Sequence, residues 1–230
     1  MVSFDVKSLF TNIPIAETID VIRDHSTGPN PLFDLPINPT VFCDLLHVLT
    51  SYNQFNFEGT YYRQSSGVPM GSSLSPAMSN IFMEHFETSL MDEIIPANMK
   101  PSFWMRYVDD VLCCFEDISK LDDFLALLNS IRESITFTVE LSKISEADGT
   151  LHDLLTNVHE SIPFLELNVM RLFDGTYTFS IFRKPCHVGN YIHAYSYQPL
   201  FQKQSVIRSL FLCAFRYCDP QFLPSEEERI

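Results

Sequence analysis

The chain has 230 residues, 46% of them hydrophobic and 19% charged. That composition supplies a core for one large domain, or one domain and part of a second, and excludes global disorder. No apolar run reaches the length of a membrane span, and the start, MVSFDVKSLF, lacks the basic and apolar regions of a signal peptide, so a nuclear or cytoplasmic location with no membrane partner is expected. The net charge of −14 weighs against phosphate contact when taken as a total. It is unevenly spread: residues 1–166 hold 24 acidic and eight basic side chains, whereas 167–218 hold Arg171, Arg183, Lys184, Lys203, Arg208 and Arg216 against Asp174 alone. This basic segment either follows a nucleic-acid backbone or is part of an ordinary uneven surface. Six cysteines form no CxxC pair. Cys113 and Cys114, inside an apolar run, read as small core residues and not as a disulfide. Cys186, His187, His193, Cys213 and Cys218 match no common zinc spacing.

In chain order, VSFDV alternates like a strand, and Ile15, Ile19 and Ile22 predict a helix after Pro14. Residues 26–39 read as a loop, and Val41, Leu45, Leu46, Val48 and Leu49 as a buried helix. FNF and TYYR flank Glu58-Gly59 as a hairpin. Ser75-Pro76 has the form of a helix start, with Ser as N-cap, ahead of Met78, Ile81, Phe82 and Phe86 at helical spacing. Trp104–Val108 and Val111–Phe115 are strand-like and meet at Asp109-Asp110. Ser119 with Asp122 resembles a capping box before the stripe Leu121, Phe124, Leu125, Leu128 and Ile131. Ile135, Phe137, Val139 and Leu141 alternate as a strand, and residues 142–162 read as an irregular link with a short helix. Phe164–Leu172, Asp174-Gly175 and Tyr177–Arg183 give the strongest hairpin signal. An extended loop over 184–202, an amphipathic helix over 203–217 and a frayed tail, SEEERI, complete the chain. Hairpins mixed with helices, without a regular βαβ series, predict an α+β fold.

Asp109-Asp110 places two carboxylates side by side between apolar runs. Their repulsion is relieved most simply by a divalent cation, which takes oxygen ligands, and a third carboxylate from another strand is then needed. Asp5, inside VSFDV, is the candidate. Adjacent aspartates also occur in solvated turns, and Asp5 alone fits a satisfied carboxylate at a strand end. The residues by themselves leave both readings open.

FDVKSLF, GVPMGSSLSPAMSNIFM and RYVDD occur in this order and together resemble motifs A, B and C of the reverse transcriptase family, the last being its Tyr-x-Asp-Asp box. PFLELNVMR followed by FRKPCHVGNYIH resembles the late palm and early thumb of the Penelope-like retroelement branch. The resemblance implies a polymerase palm, an antiparallel sheet backed by helices, with the start of a helical thumb. Residues 1–172 would be palm, with the fingers missing N-terminally, and 173–230 the late palm hairpin, connection and thumb start.

The implied activity is RNA-directed DNA synthesis by two-metal nucleotidyl transfer, with an RNA template, a DNA primer and deoxynucleoside triphosphates as partners and two Mg²⁺ ions, or Mn²⁺, as cofactors. Asp5, Asp109 and Asp110 would be the catalytic metal ligands, joined by the Val6 carbonyl. Phe10 would crowd a ribose 2′-hydroxyl, and Met70 and Gly71 would lie beside the incoming nucleotide. Tyr107 would pack at the primer end, and Arg171, Arg183 and Lys184 would follow the primer and template. Lys143 is the candidate general acid for pyrophosphate, a loose match to motif D that also fits a solvated lysine. Three features depart from the family pattern. Met1 lies only four residues before Asp5, Ser73 stands where proline is expected, and the link 142–162 is long. The sequence therefore reads as a fragment, with little primer extension expected from these residues alone. The alternatives are an inactive retroelement remnant that folds as a palm and at most binds nucleic acid, and, more remotely, an unrelated phosphotransferase with a double-Asp hairpin.

Overall fold

The computed structural model describes residues 1–27, 37–144, 158–186 and 191–230. Strands β1 (Val2–Val6), β2 (Gln54–Phe57), β3 (Thr60–Arg63), β4 (Phe103–Tyr107), β5 (Asp110–Cys114), β6 (Phe137–Leu141), β7 (Lys143–Ile144), β8 (Val158–Phe164), β9 (Leu167–Leu172) and β10 (Tyr177–Ile181) alternate with helices. The helices are α1 (Leu9–Asn12), α2 (Ile15–Ser26), α3 (Pro39–Ser51), α4 (Leu74–Ser89), α5 (Leu121–Ser130), α6 (Leu200–Tyr217) and α7 (Leu223–Glu227). Two sheets have four strands, ordered β4-β5-β1-β6 and β10-β9-β8-β7, and β2-β3 stands as a hairpin. The pairs β4–β5, β2–β3, β7–β8, β8–β9 and β9–β10 are antiparallel. The mixed helix-and-sheet class expected from the sequence is the one observed. Among the described residues no helix is long and apolar enough to cross a membrane.

The chain divides into two compact units, Phe4–Val139 and Met1–Ser3 with Glu140–Ile230. In the first, an aromatic cluster forms the centre. Phe4 lies 5.9 Å from Trp104 and 5.8 Å from Phe124, and Phe86 lies 5.8 Å from Phe137. Phe4, Phe82, Phe124 and Phe137 are fully buried, each worth about 2 kcal/mol of apolar transfer. In the second unit, Ile162 and Phe164 of β8 and Val169 and Met170 of β9 are buried. Glu160, also buried on β8, accepts from the Met1 ammonium at 2.7 Å and from the Ser142 hydroxyl at 2.7 Å.

Several expectations are corrected. α3 is a helix, but Val41, Leu45, Val48 and Leu49 are about half exposed, and the buried face is Cys43, Leu46 and Thr50. Those three positions follow helical spacing, and the Cys43 thiol lies against the Ile19 carbonyl of α2; the other apolar side chains lie off that stripe. α4 starts at Leu74, with Ser73 at the N-cap. Ser75 is not its cap, because its hydroxyl donates to the Pro69 carbonyl at 2.5 Å. Asp117 caps the 3-10 turn Ile118–Lys120 that leads into α5, its carboxylate accepting from the Ser119 amide and hydroxyl, and α5 itself follows Lys120 with no side-chain cap. Residues 158–162 belong to β8 and are not an irregular link, and Phe164 ends that strand, with Leu165 turning at φ 56° into β9. Within the expected loop 26–39, Ser26 and Pro39 are helical; residues 28–36 and 145–157, and His187, lie outside the described residues. The acidic tail is helical as far as Glu227: α7 is held by Glu226, which is buried and bonded to both terminal nitrogens of Arg183. None of the six cysteines is in a disulfide.

Candidate active site

The unit Phe4–Val139 contains all three candidate carboxylates. Strand alternation decides which way two of them point. On β1, Phe4 and Val6 are buried while Asp5 is exposed. On the β4–β5 hairpin, Trp104 pairs with Cys113, and Tyr107 pairs with Asp110 across the two-residue turn Val108-Asp109. Because Phe4 and Trp104 meet ring to ring, they share the core face with Cys113. Asp5, Asp110 and Tyr107 therefore lie on the opposite, open face, where Tyr107 is 61% exposed. Asp109, half-buried in the turn, is tied to β1 by the backbone: its carbonyl accepts from the Val6 amide at 3.0 Å. A segment at residue 5 and a turn at residue 109 thus become neighbours through one hydrogen bond. Among the described residues no three His, Cys, Asp or Glu side chains converge into a group that could hold a metal ion. The fold brings the three aspartates to adjacent strands without closing them into one ligand shell.

Beside them, motif A runs into α1 and meets the loop before α4. Phe10 is half-buried, and its carbonyl accepts from the Val68 amide at 2.7 Å. Gly67 has φ +68°, and a Cβ there would sit 2.3 Å from the Thr11 backbone. Glycine is required because two main chains touch. With Val68 buried and the Pro69 carbonyl held by Ser75, the loop is pinned on both sides of Met70-Gly71. Met70 is 71% exposed, and Gly71 has φ +93° with open space about it. This exposed glycine leaves backbone accessible to a ligand.

The hairpin turn is itself unusual. Val108, a β-branched residue, has φ +57°, a conformation costing on the order of 1–3 kcal/mol. Arg106 donates from Nη1 to the Val108 carbonyl at 3.0 Å and from Nε to Glu87 of α4 at 2.8 Å. Trp104 donates to the same Glu87 oxygen at 2.9 Å. Sequence reasoning passed over Gly67, Glu87 and Arg106. Gly67 was legible only as part of motif B, and nothing links Glu87 to Arg106 in the sequence, because the pair forms across 19 positions.

The remaining candidates lie in the other unit and are described within it. Lys143 is exposed on β7, opposite Ser161. Arg171 is 45% exposed and reaches Glu160 at 3.3 Å. Arg183 is bonded to Glu226, a hydrogen bond that raises its pKa further, so its charge is already matched. Lys184 is exposed. Burial pushes the Cys113 thiol up to about 12, with the Cys114 thiol beside it adding to the shift, which removes Cys113 as a thiolate.

Residues 1–168 match the reverse transcriptase (RNA-dependent DNA polymerase) family, and residues 190–230 match the animal helix-turn-helix domain. The chain is 28% identical over 101 residues to the telomerase reverse transcriptase of Euplotes aediculatus, which covers 42% of this chain and 10% of the relative. Its fold is similar to telomerase of Candida albicans solved with a TWJ fragment of telomeric RNA, with a TM-score of 0.53 and 16% identity over 93% of this chain and 34% of that one. It is similar also to apo telomerase of Candida tropicalis truncated from its C-terminal domain, with a TM-score of 0.50 and 15% identity over 78% of this chain and 35% of that one. The chain spans about a third of the solved relatives' length and a tenth of the curated one's.

Proposed function

The chain belongs to the reverse transcriptase (RNA-dependent DNA polymerase) family, and we propose that it is the palm, with the start of a thumb, of an RNA-directed DNA polymerase from the Penelope-like retroelement branch. The palm would cover residues 1–172 and the late hairpin, connection and thumb start 173–230. The observation that carries this reading is the bond from the Val6 amide to the Asp109 carbonyl. It joins the strand of motif A to the turn of motif C, with Asp5 and Asp110 on one open face.

The donor set fits the implied cation. Three carboxylates and the Val6 carbonyl are all oxygens, the ligands Mg²⁺ takes, and substrate phosphates and water complete such shells. Asp5 is exposed, and Asp109 and Asp110 are half-buried, so their side chains can turn on a fixed backbone. Divalent cations held there would supply charge neutralisation at the reacting phosphate and at the primer hydroxyl. The protein's own contribution is placement. Gly71 admits the nucleotide close to the main chain, Phe10 crowds the ribose, and Tyr107 packs at the primer end. Lys143 would give a proton to the departing pyrophosphate. Arg171 and Lys184 would follow the primer strand, whereas Arg183 would have to leave Glu226 to join them. Template sequence is read by base pairing, so no base-specific side chains are needed.

The test is extension of a DNA primer on an RNA template with Mg²⁺, by the longest open reading frame that contains the chain. Extension is expected, and Asp5→Asn and Asp109→Asn should each lower it by more than about 100-fold, beyond the loss typical of outer-shell changes. A folded protein that extends nothing would instead be an inactive palm. Extension indifferent to both substitutions would remove the site assignment.

A further inference from the structure

Glu87, Trp104 and Arg106 meet behind the motif C turn, on the core face of the sheet, with the exposed Asn80 at their edge. Glu87 and Asn80 are seven residues apart on α4, and so share one face of that helix. Trp104 and Arg106 are two apart on β4, and so share one face of that strand. Glu87 Oε1 accepts from Trp104 Nε1 at 2.9 Å and from Arg106 Nε at 2.8 Å. The Arg106 Nη1 donates to Asn80 Oδ1 at 3.3 Å and to the Val108 carbonyl at 3.0 Å. Arg106 and Glu87 are only 11% and 18% exposed. A guanidinium is a rigid planar fork, so fixing its Nε fixes where Nη1 points. Here it points at the carbonyl of a residue whose backbone would otherwise relax.

Val108 is that residue. Its φ of +57° at the first position of a two-residue hairpin turn is one that glycine adopts freely and a β-branched residue does not. Such strain persists only where the surroundings over-determine it. The next residue, Asp109, offers its carbonyl to the Val6 amide. A turn that relaxed at Val108 would move Asp109 away from β1 and from Asp5.

We propose that Arg106, held by Glu87 and Asn80, is a positioning residue that clamps the Val108 carbonyl and so keeps Asp109 against β1. The role rests on the metal-binding reading of Asp5 and Asp109 given above. One helix then serves both halves of the site. The N-terminal end of α4 anchors the Met70-Gly71 loop through Ser75, and its C-terminal half, through Glu87, holds the Asp109 turn.

The experiment uses this chain and two readouts that need no polymerase activity. The first is amide hydrogen exchange at Val6, whose N–H reports the contact with Asp109, with amides of α2 as the control for global opening. The second is Mn²⁺ affinity by electron paramagnetic resonance, with Asp109→Asn as the null for the site. Arg106→Lys keeps the charge and loses the fork. It should speed Val6 exchange at least tenfold at unchanged α2 exchange, and weaken Mn²⁺ binding by about 10-fold or more, the scale of outer-shell losses. Adding Val108→Gly, which takes the turn without strain, should recover most of both losses; a brace needed only for packing would not be bypassed in this way. Should Arg106→Lys fail to fold, Glu87→Gln, which keeps the shape and drops the charge, gives the same pattern at smaller size. Val6 exchange and Mn²⁺ affinity within twofold of the parent, or losses that Val108→Gly does not reverse, would overturn the proposal. A parent chain that binds Mn²⁺ no better than Asp109→Asn would sink the metal reading alone. The Val6 exchange and its reversal by Val108→Gly would still decide whether the brace exists.

Discussion

Gly67 and Gly59 both have left-handed backbone, at φ +68° and +80°, yet they differ in what surrounds them. A Cβ at Gly59 meets nothing within 4 Å, whereas one at Gly67 would sit 2.3 Å from the Thr11 carbonyl carbon. Gly59→Ala therefore meets only the strain of a left-handed backbone and should cost about 1 kcal/mol. Gly67→Ala must also push two main chains apart and should cost at least ~2 kcal/mol. Urea unfolding of the two variants measures the difference, and equal losses would mean that the Gly67 contact yields freely. The same reasoning separates Gly67 from Gly71. Both belong to GVPMG, but the first is required for packing and the second leaves open backbone beside Met70. The sequence pattern marks both glycines alike, and only the Thr11 contact tells them apart.

At the scale of elements, legibility follows the range of the interactions involved. The hairpins β2–β3 and β9–β10 were readable because their turns, Glu58-Gly59 and Asp174-Gly175, and the alternation beside them are local. The β4–β5 hairpin was readable from its apolar runs, and the order of three motifs pointed to Asp5, Asp109 and Asp110. What joins Asp5 to Asp109 was not readable, because it is one backbone bond between distant segments. The exposed face of α3 was misread for a related reason: apolar residues surround that helix, and only its packing on α2 selects Cys43, Leu46 and Thr50. α7 is the sharpest case. SEEERI is acidic and polar, and its first three residues are helical because Glu226 finds Arg183 across 43 positions. Breaking a fully buried pair costs ~3–5 kcal/mol, and since the Arg183 side chain is 22% exposed, a smaller loss of about 2 kcal/mol is expected for Glu226→Gln. Hydrogen exchange should show α7 and the start of its preceding turn opening first. Unchanged protection of residues 223–227 would mean that Leu223 and Phe222 hold the segment without the ion pair.

At the scale of the whole chain, 29 acidic residues against 15 basic ones make self-repulsion the general electrostatic condition near neutral pH. Lowering the pH through the carboxylate range relaxes that general repulsion. Glu160 works in the opposite direction. Burial pushes its carboxyl up, but hydrogen bonds from the Met1 ammonium and Ser142, the charge of that ammonium and the bond from Arg171 outweigh burial and hold it below the ordinary glutamate value of about 4.5. A carboxyl depressed on folding binds its proton more weakly in the native state than in the unfolded one. Its contribution to stability is therefore complete above about pH 4.5 and is lost as pH falls through the lower, native value. Glu160→Gln removes this contribution at every pH. The gap in unfolding free energy between parent and variant should thus be widest near neutrality and shrink steadily below pH 4.5, while the general repulsion, common to both proteins, cancels. Raised salt should narrow the gap only slightly, because the Glu160 side chain is 9% exposed and its Met1 partner 2%, and buried pairs are weakly screened. A gap that stays constant from pH 7 to pH 3 would show that Glu160 stabilises its unit through shape and hydrogen bonding alone, with its charge playing no part.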